Sequence, residues 1–334
     1  MIIPAVLAPV AAVFIATIGT FLVYRITARV SERIRIRGFR IGQIGSASLV
    51  SLAHGTNDAQ KTMGIITLAL ITSHTIGPDD GTPLWVIVSS ATAIALGTYI
   101  GGWRVIRTLG KGLTEIESPQ GFAAEGSSSA VIFAASHFGF PLSTTHVCSG
   151  SIVGSGIGKR LAEIRWGVAG RMAVAWLVTL PAAAVGGAVA WKGTDLIGGA
   201  LGMGVVFALA ALVAGGLYLA SRRSPVNHAN VNARWTGRTP RPTRRSVPHE
   251  RIRERTDGMS DYIDVASLWK VLAVGLLGGA GLVAVFALGL VGLSAYADRP
   301  PGARARVPGL VLACGCFLAV AGGAAAGLVA MLAK

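Results

Sequence analysis

Long uncharged apolar runs, separated by short charged stretches, set the pattern of this chain. The runs occupy 1–24, 84–103, 172–191, 196–221, 271–297 and 307–333. At about 1.5 Å of rise per helical residue, each is long enough to cross roughly 30 Å of hydrocarbon. They predict six membrane-spanning helices. No basic residue precedes the apolar stretch of 1–24 and no clear cleavage site follows it, which predicts a retained helix and not a secretory signal. A further segment, 41–75, breaks the pattern, because His54, Asn57, Asp58, Gln60 and Lys61 fall within eight residues near its middle. Ionisable groups at that depth cost a few kcal/mol or more each, so they persist where they pair, line a cavity or bind something. With 35 residues, the segment is too long for one straight span and too short for two with a turn. It predicts one helix broken near Gly55, since irregular backbone at membrane depth is tolerated where it faces protein or a water-filled cavity.

A second polar knot follows. Two arms, 120–137 and 142–158, flank the tip FGFPLSTTH. Arg104, Arg107 and Lys111 precede them, and Lys159, Arg160 and Arg165 follow, which puts both ends on one face of the membrane. A re-entrant hairpin and a pair of short full spans share that topology. The tip favours the hairpin: Pro141 disrupts the backbone, and Ser143, Thr144, Thr145 and His146 suit the lining of a polar cavity. On the first arm, Glu125 with Ser128 and Ser129 at i+3 and i+4 makes a polar stripe. Close helix packing by small residues explains Ser127, Ser128 and Ser129 equally well.

Composition fits a membrane solvent: 52% of the 334 residues are hydrophobic, only 13% are charged, and the mean hydropathy is +0.61. The net charge of +15 invites a nucleic-acid reading, but its distribution opposes one. Arg25, Arg29, Arg33, Arg35, Arg37 and Arg40 follow the first span, and ten arginines lie between Arg222 and Arg255. Basic loops of this kind face the cytoplasm. Counting crossings from there puts GPDDGTP (77–83) outside and 221–264 inside; it also puts Arg299, Arg304 and Arg306 outside, against the rule. The stretch 221–264 holds Pro225, Pro240, Pro242 and Pro248 and few apolar residues, so it predicts a disordered linker, with anionic headgroups as its natural contact. Cys148, Cys314 and Cys316 lie in apolar segments without a nearby His or carboxylate, which reads as small buried hydrophobes and no metal site.

The chemistry of a broken helix suits ion binding. Half-helix N-termini offer free N–H groups to an anion, while unwound carbonyls and Asp58 take a cation. Lys61, three residues after Asp58, neutralises that carboxylate or meets an anion directly. A buried Asp58–Lys61 pair that only fixes packing is the plainer reading, but it leaves His54, Asn57 and Gln60 unexplained. No nucleophile, base and orienting group occur together, so the chain is not read as an enzyme.

HGTNDAQKTMGII, followed about sixty positions later by GFAAEGSSSAVIFAASHFGFPLSTTH, resembles the second half of the PiT family of inorganic phosphate transporters, and IIPAVLAPV resembles the region leading into it. The likeness covers roughly residues 1–190. It implies an all-α polytopic membrane protein, with one broken transmembrane helix and one re-entrant helical hairpin from an inverted-repeat transporter fold. It also implies phosphate transport by symport with a proton or sodium ion, at a site near the membrane midplane. Carried over by motif, Asn57, Ser143, Thr144 and Thr145 hold phosphate, while Asp58, His54 and Glu125 serve the coupling cation; Gln60, Lys61 and His146 are further candidates. The family's first repeat, with its own Gly-x-Asn-Asp motif and Ser-rich tip, has no counterpart in 1–40 or 192–334.

The expected organisation is a transporter repeat over 1–191, a transmembrane helix over 192–220, the basic loop over 221–264 and two accessory helices over 265–334. The expected location is the cell membrane, with basic loops cytoplasmic. Expected partners are inorganic phosphate, the coupling cation and membrane lipid, with no cofactor beyond that cation and no nucleic acid. A first-repeat half or a homo-oligomer is also open as partner. Two alternatives stand beside phosphate symport: a carrier of sulfate or another oxyanion, and a non-transporting half that assembles with a partner. With motifs for one half only, the chain alone is not expected to transport, and Met1 is expected to lie inside a longer reading frame or a split gene.

Overall fold

Every regular element among the described residues is helical. The computed structural model describes residues 2–100, 102–139, 142–159, 164–221, 226, 231, 265–298 and 306–332. Almost all of the basic 221–264 stretch, and Pro141, Arg299 and Arg304, lie outside them. The elements are α1 (Ile2–Ile26), α2 (Glu32–Thr72), α3 (Leu84–Ile100), α4 (Trp103–Arg107), α5 (Ser118–His137), α6 (Thr144–Gly158), α7 (Trp166–Ile197), α8 (Gly199–Ser221), α9 (Val265–Gly275), α10 (Leu282–Ala297) and α11 (Arg306–Leu332). Wider π turns at Thr108–Gly112 and Leu276–Gly281 extend α4 and join α9 to α10. Among the described residues, five helical stretches are long and apolar enough to cross a membrane, including Leu7–Arg29 and Trp269–Ala297. The chain is an all-α, multi-pass membrane protein. The run predicted at 84–103 forms a shorter helix of 17 residues.

The chain divides into two units. In the smaller, residues 102–113 and 165–241, α7 and α8 form a helical pair. They are joined by Gly198 and Gly199, whose positive φ angles of 76° and 52° only glycine adopts without strain. Arg165 at the foot of α7 anchors the loop before it, its guanidinium donating to the Lys111 carbonyl and its N–H to the Leu113 carbonyl at 2.9 Å.

The larger unit holds α1–α3, α5, α6 and α9–α11. Apolar burial drives little association between helices already in lipid, so close backbone approach has to supply the packing. Gly150, Gly154 and Gly158 form one stripe of α6, and a Cβ at any of them would run into the carbonyl of Pro9, Val13 or Thr17 on α1. Thr17 adds a hydroxyl bond of 3.1 Å to the Gly154 carbonyl. Ser127 is buried against Gly19 and Gly279 in the same manner, so the small-residue reading of that serine holds. Helices α2 and α5 run parallel in a constant register. Ser46 meets Glu125 and Asn57 meets Ser136, both pairs 79 residues apart. Beside them Phe39, Phe122 and Phe286 cluster with ring centroids 4.4–5.7 Å apart.

Three expectations change. First, α2 is one continuous helix of 41 residues, about 60 Å long, with no break at Gly55. Length did not demand a break, because the helix starts among Arg33, Arg35, Arg37 and Arg40 and runs past the apolar segment at that end. The polar groups are accommodated by pairing instead. Second, α9–α10 runs opposite to the direction the count of crossings gave. Gly275 and Gly279 pack on Ile15, and Val283 near Gly19, so this rod is parallel to α1; Gly38 of α2 meets Leu290. Arg306, after the next turn, therefore lies at the same end of the unit as Arg25–Arg40, and Val265 at the other. Third, the cysteines are not fully buried: Cys148 is half-buried and packs against the core, Cys316 is half-buried, and Cys314 is exposed.

Candidate functional site

A helical hairpin is present, with arms Ser118–His137 and Thr144–Gly158. Its two feet are tied by the Lys159–Glu117 ion pair at 2.5 Å, and the Tyr24 hydroxyl donates to Glu117 at 2.9 Å. Both arms thus start and end beside the Arg25 end of α1. Hydrogen bonds from Lys159 and then Tyr24 hold the Glu117 carboxyl below the ordinary carboxylate range, against the opposing effect of its partial burial. A capping box with Gln120, and Pro119 in the first turn, start α5 at this foot.

At the other end, the tip meets α2. The spacing i, i+4, i+7 sets His54, Asp58 and Lys61 along one face of that helix. His54 Nε2 lies 3.5 Å from Asp58 Oδ2, and Lys61 Nζ lies 3.0 Å from Asp58 Oδ1. Lys61 also donates to the Leu142 carbonyl at 2.7 Å, reaching the backbone just ahead of α6. Asn57 is turned toward α5 and is 4% exposed. Its amide donates to Ser136 Oγ at 2.9 Å, and its Oδ1 has no hydrogen-bond partner among the described residues. A buried acceptor left open next to charged groups is costly unless something occupies it.

Ser143 caps α6, its hydroxyl accepting from the His146 N–H at 3.4 Å. The first N–H groups of a helix have no intrahelical acceptor and carry partial positive charge, so this terminus favours an anion. Thr144 is buried, Ser143 and His146 half-buried and Thr145 exposed. With α2 unbroken, the helix N-terminus at this place comes from the hairpin alone.

Two candidates stand apart. Gln60 is exposed, whereas Asn57, three residues before it on the same helix, is buried. Glu125 lies 11 residues before Ser136 on α5, about 16 Å along the axis. There Ser46 Oγ donates to its Oε2 at 2.5 Å, Gln43 bonds it as well, and Ser129 Oγ donates to its backbone carbonyl at 2.8 Å. The structure therefore holds two polar centres on one α2–α5 interface. Cys148 on α6 is hydrogen-bonded to Ser128 and interacts electrostatically with both Glu125 and Asp58. Among the described residues no group of three or more His, Cys, Asp or Glu is placed to hold a metal ion.

Sequence reading missed Gln43, Ser46, Ser136 and the Leu142 carbonyl. The only signal in the chain is polarity within apolar stretches, and a carbonyl has no sequence signal at all.

The phosphate transporter family profile matches residues 25–187, which contain every one of these groups. The Mycobacterium tuberculosis protein named "Probable low-affinity inorganic phosphate transporter" is 59% identical over 238 residues, covering 71% of this chain and 57% of that protein. Proteins of the same name from Rhizobium meliloti and Bacillus subtilis are 46% identical over 159 residues and 47% over 153, covering 48% and 46% of each chain. The chain thus spans about half the length of the curated relatives it matches. No solved structure matches it. Over residues 25–187, from the end of α1 through the hairpin and into α7, this chain matches the phosphate transporter family.

Proposed function

We propose that this chain moves inorganic phosphate across the cell membrane by cation-coupled symport, with a proton or sodium ion as the coupling cation. The relatives' names point to phosphate. One observation carries the reading at the level of residues: the α2 cluster Asn57, Asp58 and Lys61 packs against the tip of the hairpin at the N-terminus of α6. An oxyanion there meets free N–H groups and the hydroxyls of Ser143, Thr144 and Thr145. A dianion held by such donors gains charge-assisted hydrogen bonds that are roughly twice as strong as neutral ones.

Asp58, with His54 beside it, is the cation-responsive group of this reading, and Glu125 on its own polar ledge is a second acid on the same interface. The unfilled Asn57 Oδ1 suits the protonated hydroxyl of hydrogen phosphate. Sulfate has no such proton to donate, which favours phosphate over the sulfate alternative in this reading. The end bearing Arg25–Arg40 faces the cytoplasm in this reading.

Labelled phosphate binding to the purified chain in detergent tests the proposal. Saturable binding that excess phosphate displaces and excess sulfate does not is the expected result. Absence of saturable binding, or equal displacement by sulfate, would overturn it.

A further inference from the structure

We infer that Lys61 is a tethered cation: its ammonium fills a monovalent-cation position built by the Asp58 carboxylate and the Leu142 carbonyl. The inference rests on the role given to Asp58 above and narrows it: with Lys61 in the metal position, the cation that Asp58 answers to is the proton and not sodium. Lys61 Nζ makes two contacts with hard oxygen donors, 3.0 Å to Asp58 Oδ1 and 2.7 Å to the Leu142 oxygen. A carboxylate paired with a carbonyl outside regular structure is the donor set that an alkali cation takes at membrane depth. Leu142 precedes the cap of α6, so its carbonyl is not committed to a helix.

Charge balance supports the assignment. One ammonium neutralises one carboxylate, so the corner holds no surplus negative charge to attract a second metal cation. The arrangement also spans two elements. Lys61 is on α2 and Leu142 is on the tip, so the tethered cation clamps the N-terminus of α6 next to Asn57. Side-chain exposures of 34% for Asp58 and 38% for Lys61 leave the corner open to ions, so an emptied position is reachable. A lysine that serves only as a pair for Asp58 would not need the Leu142 contact, and a lysine that binds substrate would not have its ammonium spent on two protein oxygens.

The test uses the purified full chain in detergent, without phosphate, comparing thermal unfolding in sodium chloride and choline chloride at equal ionic strength. The wild type is expected to give the same midpoint in both salts. Lys61→Gln is expected to unfold at lower temperature in choline and to recover with a saturable upward shift as sodium is added. Asp58→Asn combined with Lys61→Gln should lose the sodium response, and Lys61→Arg should resemble the wild type. A sodium shift of equal size in wild type and Lys61→Gln overturns the inference, as does no sodium response in Lys61→Gln. If Lys61→Gln is recovered folded only when purified in sodium, that supports the inference; failure to fold in either salt counts against it. Saturable sodium stabilisation of the wild type itself also overturns it, and this arm needs no variant. Because no phosphate is present, failure of the phosphate reading appears in the binding assay and failure of the tethered cation appears here.

Discussion

The bond between Asn57 and Ser136 ties the binding helix to the hairpin, and its removal gives the sharpest test of the site's construction. Asn57 is 4% exposed and has one side-chain partner among the described residues, Ser136 Oγ at 2.9 Å; its Oδ1 has none. Ser136→Ala therefore removes the partner and leaves a buried amide with no side-chain hydrogen bond among the described residues. The stranded donor costs about 1–3 kcal/mol. The bond itself is worth less, because helices separated in a membrane find other partners; measured interhelical couplings average about 0.6 kcal/mol and reach about 1.7. A double-mutant cycle of Ser136→Ala and Asn57→Ala, followed by unfolding in detergent titrations, is expected to give a coupling of about 0.6–1.7 kcal/mol. Phosphate affinity should fall in Ser136→Ala, since the tip is no longer registered against Asn57. Additive single and double mutants, within about 0.3 kcal/mol, would refute the argument that this bond joins the two elements.

Asp58→Asn in a transport-competent assembly is expected to abolish phosphate uptake while the protein stays in the membrane; restoration by Asp58→Asn with Lys61→Met would reduce the pair to packing. Thr144→Ala is expected to weaken phosphate binding by about 1.5–3 kcal/mol with little loss of folded protein. Ser143→Ala, in contrast, also loses the α6 cap and about 1 kcal/mol of stability, so unchanged phosphate affinity in both variants would show that the tip only packs. At the hairpin feet, Lys159 and Tyr24 lower the folded-state pKa of Glu117, so its stabilisation is fully present above the unfolded value of about 4.3 and is lost as pH falls through the folded one. Glu117→Gln should unfold earlier than wild type near neutral pH and converge with it in acid; a gap that persists in acid would contradict the assignment.

The sequence by itself determined the solvent, the elements and the two polar knots. Apolar runs of about twenty residues specify membrane helices because every backbone group must be satisfied inside the segment. The same rule made Asn57, Asp58, Lys61 and the tip legible as a site, since charge at membrane depth persists only with a purpose. Hairpin arms predicted at 120–137 and 142–158 match the helices to within two residues. Pairing between elements was decided only by the tertiary structure. The register that sets Ser46 on Glu125 and Asn57 on Ser136 depends on side chains far apart in the chain, and it separated Glu125 from the Asp58 cluster. The unbroken α2 follows from the ion pairs that satisfy its polar groups without unwinding. The direction of α9–α10 follows from glycines fitted against Ile15 and Leu290. A hydropathy pattern records how far a helix is buried in lipid, and it carries no record of which neighbour stands beside it.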